Sequence, residues 1–396
     1  MSTISSKRPS NINEYLGLRE LKQAALDSSR ARYLTHRLYR YPASMSPMIA
    51  RSLINKYSKR GDLLLDPFCG GGTTAVEGIA LGRNVVCSDI SPLACFVTKA
   101  KATRISVSSL EEFSLWHQKE IDILENYRPK NRKPLKLNGR VYSPLTYSNI
   151  LKLMRDAKSI ADPSARRLAQ LVVLNAAKGS FDGRSKYSPR YLVKKTFQRL
   201  GDVTIECMRE YIDSINENGV KDISKKPLRV IQCDAKKIAK RLPAYKNKIS
   251  LVVTSPPYPG VHVLYNRWQL HGRKETDLPF RLLCFSNTFP ASFYTMGARN
   301  SHSIKESYTR NMESVLTSIH ELLVPGGIVA QVIAFPKNNG HFQDYERLMK
   351  KVGFESIEPR VPTVKRHVPN RKWYTQVVAG NRQPFEHIFI HQKLKR

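Results

Sequence analysis

The sequence predicts an α/β fold: a mostly parallel, doubly wound sheet interrupted by a long helical stretch. Two observations carry this. Over residues 62–102, and again from residue 228, short apolar runs bounded by turn residues alternate with helical periodicity, as parallel strands joined by crossover helices do. Between those regions, from about residue 106 to 226, the apolar period is helical throughout. The chain therefore divides into N-terminal helices with the first half of the sheet domain (1–105), a basic helical insertion (106–226), and the second half of the sheet domain (227–396).

Taken in order, Ile12–Ala25 carries an apolar stripe, and Pro47–Tyr57 reads as a helix leading into the first strand. Between them, His36 to Pro47 is a turn-rich loop. Asp62–Phe68 is an apolar strand, Thr73–Leu81 a helix, Asn84–Asp89 a second strand, and Pro92–Ala102 a helix with proline in its first turn. The insertion reads as four helices, Leu110–Tyr127, Tyr147–Ala161, Ser164–Lys178 and Tyr191–Asn216. Two basic, proline-containing loops separate them, Arg128–Arg140 and Gly183–Tyr191, and the first contains no acid. Strands resume at Leu228–Cys233, Ile249–Thr254 and Ile328–Ile333, the last after a helix over Lys305–Leu323 and a Pro325–Gly327 turn. A helix over Asp344–Val352 and strands at Phe354–Glu358 and Glu386–His391 close the chain. A basic loop ending in aromatics, Lys365–Tyr374, lies between the last two strands.

The 396 residues include 66 Lys plus Arg against 32 Asp plus Glu, a formal charge of +34. An excess this large implies a polyanionic partner. A membrane surface is the rival, but no apolar run approaches the roughly 18–20 residues of a spanning helix. Met1–Asn13 holds no apolar signal region, and the scattered cysteines fit a reducing cytoplasm, the expected location. The six cysteines form no C-x-x-C pair and have no histidine cluster beside them. That pattern argues against zinc and against a disulfide framework.

Two stretches carry the chemistry. The first, Asp66–Thr74 (DPFCGGGTT), is a glycine-rich turn between a strand and a helix. Without side chains its backbone can turn sharply and approach a ligand closely. NAD, FAD and S-adenosyl-L-methionine (AdoMet) sites all use such turns. Here the spacing is not G-x-G-x-x-G, and Asp66 places a carboxylate beside the turn. That charge would repel a pyrophosphate and suit the cationic amino-acid part of AdoMet. Asp89, ending the second strand, suits ribose hydroxyls, and Asp234, ending the third, suits an adenine amine. The plainer role of each lone acid is to cap a helix.

The second stretch is Thr254–Tyr258 (TSPPY), at the end of another strand. Pro256 and Pro257 fix φ and donate no N–H, so the turn presents carbonyls. An exocyclic amine conjugated to its ring is a poor nucleophile because its lone pair is delocalised. Acceptance of both its hydrogens, by Ser255 Oγ and the Pro256 carbonyl, favours an sp³-like nitrogen, while Tyr258 stacks on the base. Catalysis of this kind is positioning and electrostatics without a covalent intermediate. In isolation the stretch reads as an ordinary Pro-Pro turn; its place downstream of the glycine loop favours the functional reading.

These residues resemble the DNA amino-methyltransferases that act on cytosine N4 or adenine N6. Asp66–Thr74 is similar to their AdoMet-binding motif and Thr254–Tyr258 to their catalytic motif, in the Ser-Pro-Pro-Tyr form associated with cytosine N4. Tyr41–Pro47 is similar to a segment that closes over the methionine end of the cofactor. The resemblance covers about residues 36–104 and 228–334. It implies a Rossmann-like AdoMet-dependent methyltransferase fold, with S-adenosyl-L-methionine as cofactor and DNA as partner. It also implies a role in DNA modification, solitary or with a cognate restriction endonuclease on a separate chain. Cofactor contacts are expected from Pro47, Asp66, Phe68, Cys69, Gly70, Gly72, Thr73, Asp89, Ile90, Asp234 and Thr254, and catalysis from Ser255, Pro256, Pro257 and Tyr258.

An amine inside a duplex is out of reach, so a flipped or single-stranded base is required. Arg128, Lys130, Arg132 and Lys133 are expected to track phosphates, with Arg371, Lys372 and Trp373 on the other side. Phosphate contacts position without specifying sequence. Alternatives are adenine N6 as the target, an RNA base amino-methyltransferase, and a catalytically inactive DNA-binding protein. A Rossmann dehydrogenase is excluded by the missing fingerprint.

Overall fold

The computed structural model describes residues 33–42, 44–129, 134–137, 140–181, 189–218, 227–258, 268–270, 274–286, 296, 304–334, 341–357, 364–367 and 385–394. The expected helix Ile12–Ala25 lies outside them, as do Lys130, Arg132, Lys133, Arg371, Lys372 and Trp373.

The main sheet draws on β1 (Leu63–Asp66), β2 (Asn84–Asp89), β5 (Leu228–Gln232), β6 (Ile249–Thr254), β9 (Leu323–Ile333), β10 (Phe354–Ser356), β11 (Val364–His367) and β12 (Phe385–Lys393). Two hairpins stand apart, β3 (Leu135–Leu137) with β4 (Arg140–Tyr142), and β7 (Trp268–Leu270) with β8 (Lys274–Thr276). The strand order is β10-β12-β9-β6-β1-β2-β5, with β11 paired to β12. Strands β9, β6, β1, β2 and β5 run parallel, and β12 runs antiparallel to both its neighbours β9 and β10. This is a Rossmann-like fold, a doubly wound sheet with one reversed strand near an edge.

The helices are α1 (Pro47–Tyr57), α2 (Thr73–Ala80), α3 (Pro92–Ala102), α4 (Val107–Asn126), α5 (Pro144–Lys158), α6 (Pro163–Phe181), α7 (Pro189–Glu217), α8 (Ile238–Arg241), α9 (Leu278–Leu283), α10 (Ile304–Leu322) and α11 (His341–Val352). Prolines open α1, α3 and α5, where a missing N–H costs nothing. Ser91, Ser106 and Ser143 cap α3, α4 and α5 by accepting backbone N–H bonds.

Successive residues of each strand point to opposite faces, and the two cores follow this alternation. Leu64, Val85, Leu251, Val253 and Val332 face one side, where Ile49 and Leu53 of α1, Phe96 of α3 and the helical block α4–α7 cover them. Leu65, Val86, Val252 and Val329 face the other, under Ile238, Met312, Leu316 and Met349 of α8, α10 and α11. The helical block thus continues one face of the sheet: α6 packs on α3, and α7 packs on α2 and the short 3₁₀ turn Leu34–Arg37. Phe113, Phe181, Phe197 and Tyr211, from α4, α6 and α7, are fully buried in that shared core.

Several expected boundaries shift by up to three residues, Lys365–His367 of the expected basic loop belong to strand β11, and the largest shift is in β9. The Pro325–Gly327 turn falls inside β9, because Leu323 already pairs with Ile249 before Ile328 pairs with Leu251. Gly326, at φ 76°, supports the bulge. Among the described residues no helix is long and apolar enough to cross a membrane.

Candidate active site

Parallel strands end on one edge of the sheet, and open α/β sheets bind ligands there. The turns after β1, β2, β5 and β6 converge on that edge around a cleft enclosing about 1010 Å³ of empty space, its open mouth included. Asp66, Phe68, Cys69, Gly70 and Thr73 come from the first turn; Asp89 and Ile90 come from the second. Asp234 and Ala235 follow β5, and Ser255, Pro256, Pro257 and Tyr258 follow β6. Two motifs 180 residues apart therefore share one wall, because β1 and β6 are adjacent strands.

Three expected cofactor residues lie behind that wall. Thr254 is buried and donates from Oγ1 to Asp66 Oδ1 at 2.6 Å. Gly72, at φ 79°, is the residue before α2; a Cβ there would lie 3.0 Å from Thr98 Oγ1. Pro47 is the first residue of α1. All three shape the site from outside the cavity lining.

The glycine loop has a roof that the sequence indicates only through the Tyr41–Pro47 segment. Tyr41, Pro42, Ser44 and Met45 line the cavity. A Cβ on Gly71 would lie 2.8 Å from the Tyr41 Cβ, so this position tolerates only glycine while Tyr41 stays in place. Below the loop, Lys101 of α3 is buried, and its Nζ donates to the Gly71 carbonyl at 2.8 Å. Burial lowers the Lys101 pKa to about 8. Nearby, Glu77 of α2 is fully buried and accepts from Tyr33, His36 and Arg51 at 2.6, 2.7 and 2.6 Å. Burial alone would push its carboxyl up, but Arg51 and His36 hold it below the usual range.

The acids sit in contrasting surroundings. Asp66 accepts from Thr254 and from the Phe68 N–H at 3.1 Å, yet burial raises its pKa to about 6. Asp89 accepts from Gly70 N–H at 3.0 Å and Ser91 N–H at 2.9 Å, and burial raises it to about 6 as well. Asp234 accepts from Lys236 N–H at 3.0 Å, so it caps a short 3₁₀ turn while lining the cavity. Each carboxylate oxygen retains acceptor capacity beyond these bonds. The described lining of the cavity carries three aspartates and no lysine, arginine or histidine, in a chain of formal charge +34. Such a lining fits a cationic ligand rich in hydroxyl and amine donors, which is the chemistry of AdoMet.

On the β6 side, Ser255 Oγ donates to the Val332 carbonyl at 2.9 Å and lies 3.4 Å from Tyr258 Oη. The Tyr258 hydroxyl donates to Glu386 Oε1 of β12 at 3.0 Å. The Pro257 carbonyl accepts from Tyr308 Oη at 3.0 Å. Glu386, Tyr308, Lys101 and the lining residue Met296 escaped the sequence reading. None belongs to a local motif; Glu386 reaches the site through sheet register, and Tyr308 and Lys101 through helix packing.

Parts of the chain resemble known proteins. Residues 5–100 match the profile of a family described as DNA methylase. The chain is 38% identical over 108 residues to the Type II methyltransferase M.MvaI of Kocuria varians, covering 26% of this chain and 22% of that protein. It is 49% identical over 51 residues to a tRNA (guanine(10)-N2)-dimethyltransferase of Methanothermobacter thermautotrophicus, covering 13% of this chain and 15% of that one. Among solved structures, that of TrmN from Thermus thermophilus superposes with a TM-score of 0.34 at 13% identity, over 89% of this chain and 50% of that chain. The matched stretches thus span about a fifth or less of the curated relatives' length. Over residues 5–100, which include the glycine loop, the chain resembles the DNA amino-methyltransferases, and that likeness implies S-adenosyl-L-methionine as the cofactor.

Proposed function

We propose that this protein is an AdoMet-dependent DNA methyltransferase acting on the exocyclic amine of a flipped base, with cytosine N4 as the target. The observation that carries the reading is the single cavity in which the acidic glycine loop meets the Ser-Pro-Pro-Tyr turn, joined through the Thr254–Asp66 hydrogen bond. AdoMet, when bound, supplies an electrophilic methyl group.

The chain's own residues do the rest. Asp66 would hold the cationic amino-acid part, Asp89 the ribose hydroxyls and Asp234 the adenine amine, with Tyr41 and Met45 covering the site. Ser255 Oγ and the Pro256 carbonyl would accept the two hydrogens of the target amine and aim its lone pair into the cavity. The Pro257 carbonyl is already engaged by Tyr308, which fixes the turn that presents its neighbour. Tyr258 lines the same cavity and would hold the plane of the base. Such preset acceptors act without reorganising during the reaction. Arg128 is exposed just past the end of α4, and with Lys130, Arg132 and Lys133 it would track the phosphates. A modification role, solitary or paired with a separate nuclease, accords with the likeness to a Type II methyltransferase.

The local identity to a tRNA guanine-N2 enzyme favours a second reading, an RNA base amine as target. One experiment separates them: purified protein is incubated with AdoMet and either unmethylated genomic DNA or unmodified tRNA, and nucleosides are analysed by mass spectrometry. N4-methylcytosine in DNA is expected. N6-methyladenine would keep the chemistry and overturn the choice of base. Methylation of tRNA alone would overturn DNA as substrate.

A further inference from the structure

The reversed strand β12 delivers a buried carboxylate to the clamp. Glu386 is 3% exposed, Tyr258 is 7% exposed, and the Tyr258 hydroxyl donates to Glu386 Oε1 at 3.0 Å. A carboxylate accepts hydrogen bonds and does not donate. The tyrosine proton is therefore committed to Glu386, and its oxygen is left to accept from Ser255, 3.4 Å away. The one hydroxyl hydrogen of Ser255 also has a nearer acceptor, the Val332 carbonyl at 2.9 Å. Taken by that nearer acceptor, the hydrogen points toward the sheet, and the serine oxygen keeps lone pairs for the cavity. A serine with its hydrogen free would compete for the amine's lone pair and block the reaction it is meant to assist.

We propose that Glu386 is a positioning residue of the amine clamp. It holds the Tyr258 hydrogen away from Ser255, so that the serine lone pairs stay available to the target amine, and it fixes the Tyr258 ring. This rests on the methyltransferase reading above. It adds a residue that lies outside both sequence motifs, 128 positions beyond Tyr258.

The test uses the full chain and four variants: Glu386→Ala, Glu386→Gln, Tyr258→Phe and the double Glu386→Ala with Tyr258→Phe. Methyl transfer to nucleic acid gives kcat and KM; equilibrium dialysis gives AdoMet affinity. Glu386→Ala should lower kcat about 100-fold, the scale on which small misplacements of reacting groups act, with KM and AdoMet affinity changed less than about threefold. Glu386→Gln keeps an acceptor and should restore at least about a tenth of the wild-type kcat. Tyr258→Phe, which deletes only the hydroxyl, should match Glu386→Ala, and the double variant should fall no further. A Glu386→Ala or Tyr258→Phe protein with wild-type kcat overturns the proposal, as do losses that multiply in the double variant. Should Glu386→Ala fail to fold, Tyr258→Phe alone decides by the same criterion. A wild-type protein that binds AdoMet and methylates neither DNA nor RNA overturns the functional reading and the proposal with it, whereas an active wild type with indifferent variants overturns the proposal alone.

Discussion

Replacing Thr254 by valine removes one donor from Asp66 while keeping the branched shape of the side chain. The lost bond is short, 2.6 Å, and buried. Hydrogen bonds to charged groups contribute about 1.5–3 kcal/mol, and each pKa unit corresponds to about 1.4 kcal/mol. The Asp66 carboxyl, already raised to about 6 by burial, should therefore climb by about one to two units, to about 7 or 8. A protonated acid cannot pair with the cationic end of AdoMet. Wild-type affinity should accordingly decline as pH falls through about 6, where both Asp66 and Asp89 take up protons. In the variant the decline should begin about one to two pH units higher. Folding stability moves the opposite way. Asp66 has a folded pKa above its unfolded value of 3.8, so its ionised form is disfavoured by the fold, and this penalty fades as pH drops through about 6. Equilibrium dialysis of AdoMet across the acid and neutral range measures the binding profile. A variant whose profile superimposes on wild type, or drops equally at every pH, would refute the argument. Asp89 serves as an internal control, since its donors Gly70 and Ser91 are untouched.

Three further outcomes are expected. Lys101→Met should remove the cost of burying an ammonium group whose pKa falls from 10.5 to about 8, about 3 kcal/mol; because that cost fades in the wild type as pH rises from about 8 toward 10.5, the melting temperature of wild type minus variant should increase over that window, and parallel curves would contradict the assignment. Gly72→Ala should destabilise by about 1–3 kcal/mol in urea melts, and by more than Gly61→Ala, since both have positive φ but only Gly72 also meets Thr98. Neutralising Arg128, Lys130, Arg132 and Lys133 together should reduce the slope of log K against log salt by about 0.9 for each phosphate that these side chains pair with; an unchanged slope in a filter-binding series would remove these residues from the nucleic-acid surface.

Much of this architecture was legible from local signals. Strand and helix alternation around Asp66 and Asp89 has clear punctuation, from Gly70–Gly72 to the Ser91-Pro92 start, and the structure reproduces α2, β2 and α3 to within a residue. The strand ending at Thr254 was equally plain, as β6 matches its expected bounds. The hairpins Leu135–Tyr142 and Trp268–Thr276 were not visible, because three-residue strands are too short to show alternation. Over residues 106–226 periodicity reports which face of a helix is apolar and not what covers it. The structure places Phe113 and Phe197 in one buried cluster with Leu64 and Val85 of the sheet. Glu386 and Tyr308 were beyond sequence reasoning for a related reason: only the pairing of β12 with β9, and the packing of α10 beneath the sheet, bring them to the clamp.

The side-by-side placement of β1 and β6 has a consequence for how such a chain can be written. The cofactor turn and the amine clamp touch through neighbouring strands at the centre of the sheet, and most of the chain between them is the helical block on one face. Their meeting is indifferent to which strand is synthesised first. A circularly permuted gene that opens at β5 or β6 and reaches β1 last would, once its termini were joined by a linker of sufficient length, assemble the same cavity from the same atoms. Adjacency in the sheet, and not motif order along the chain, is what brings the two together.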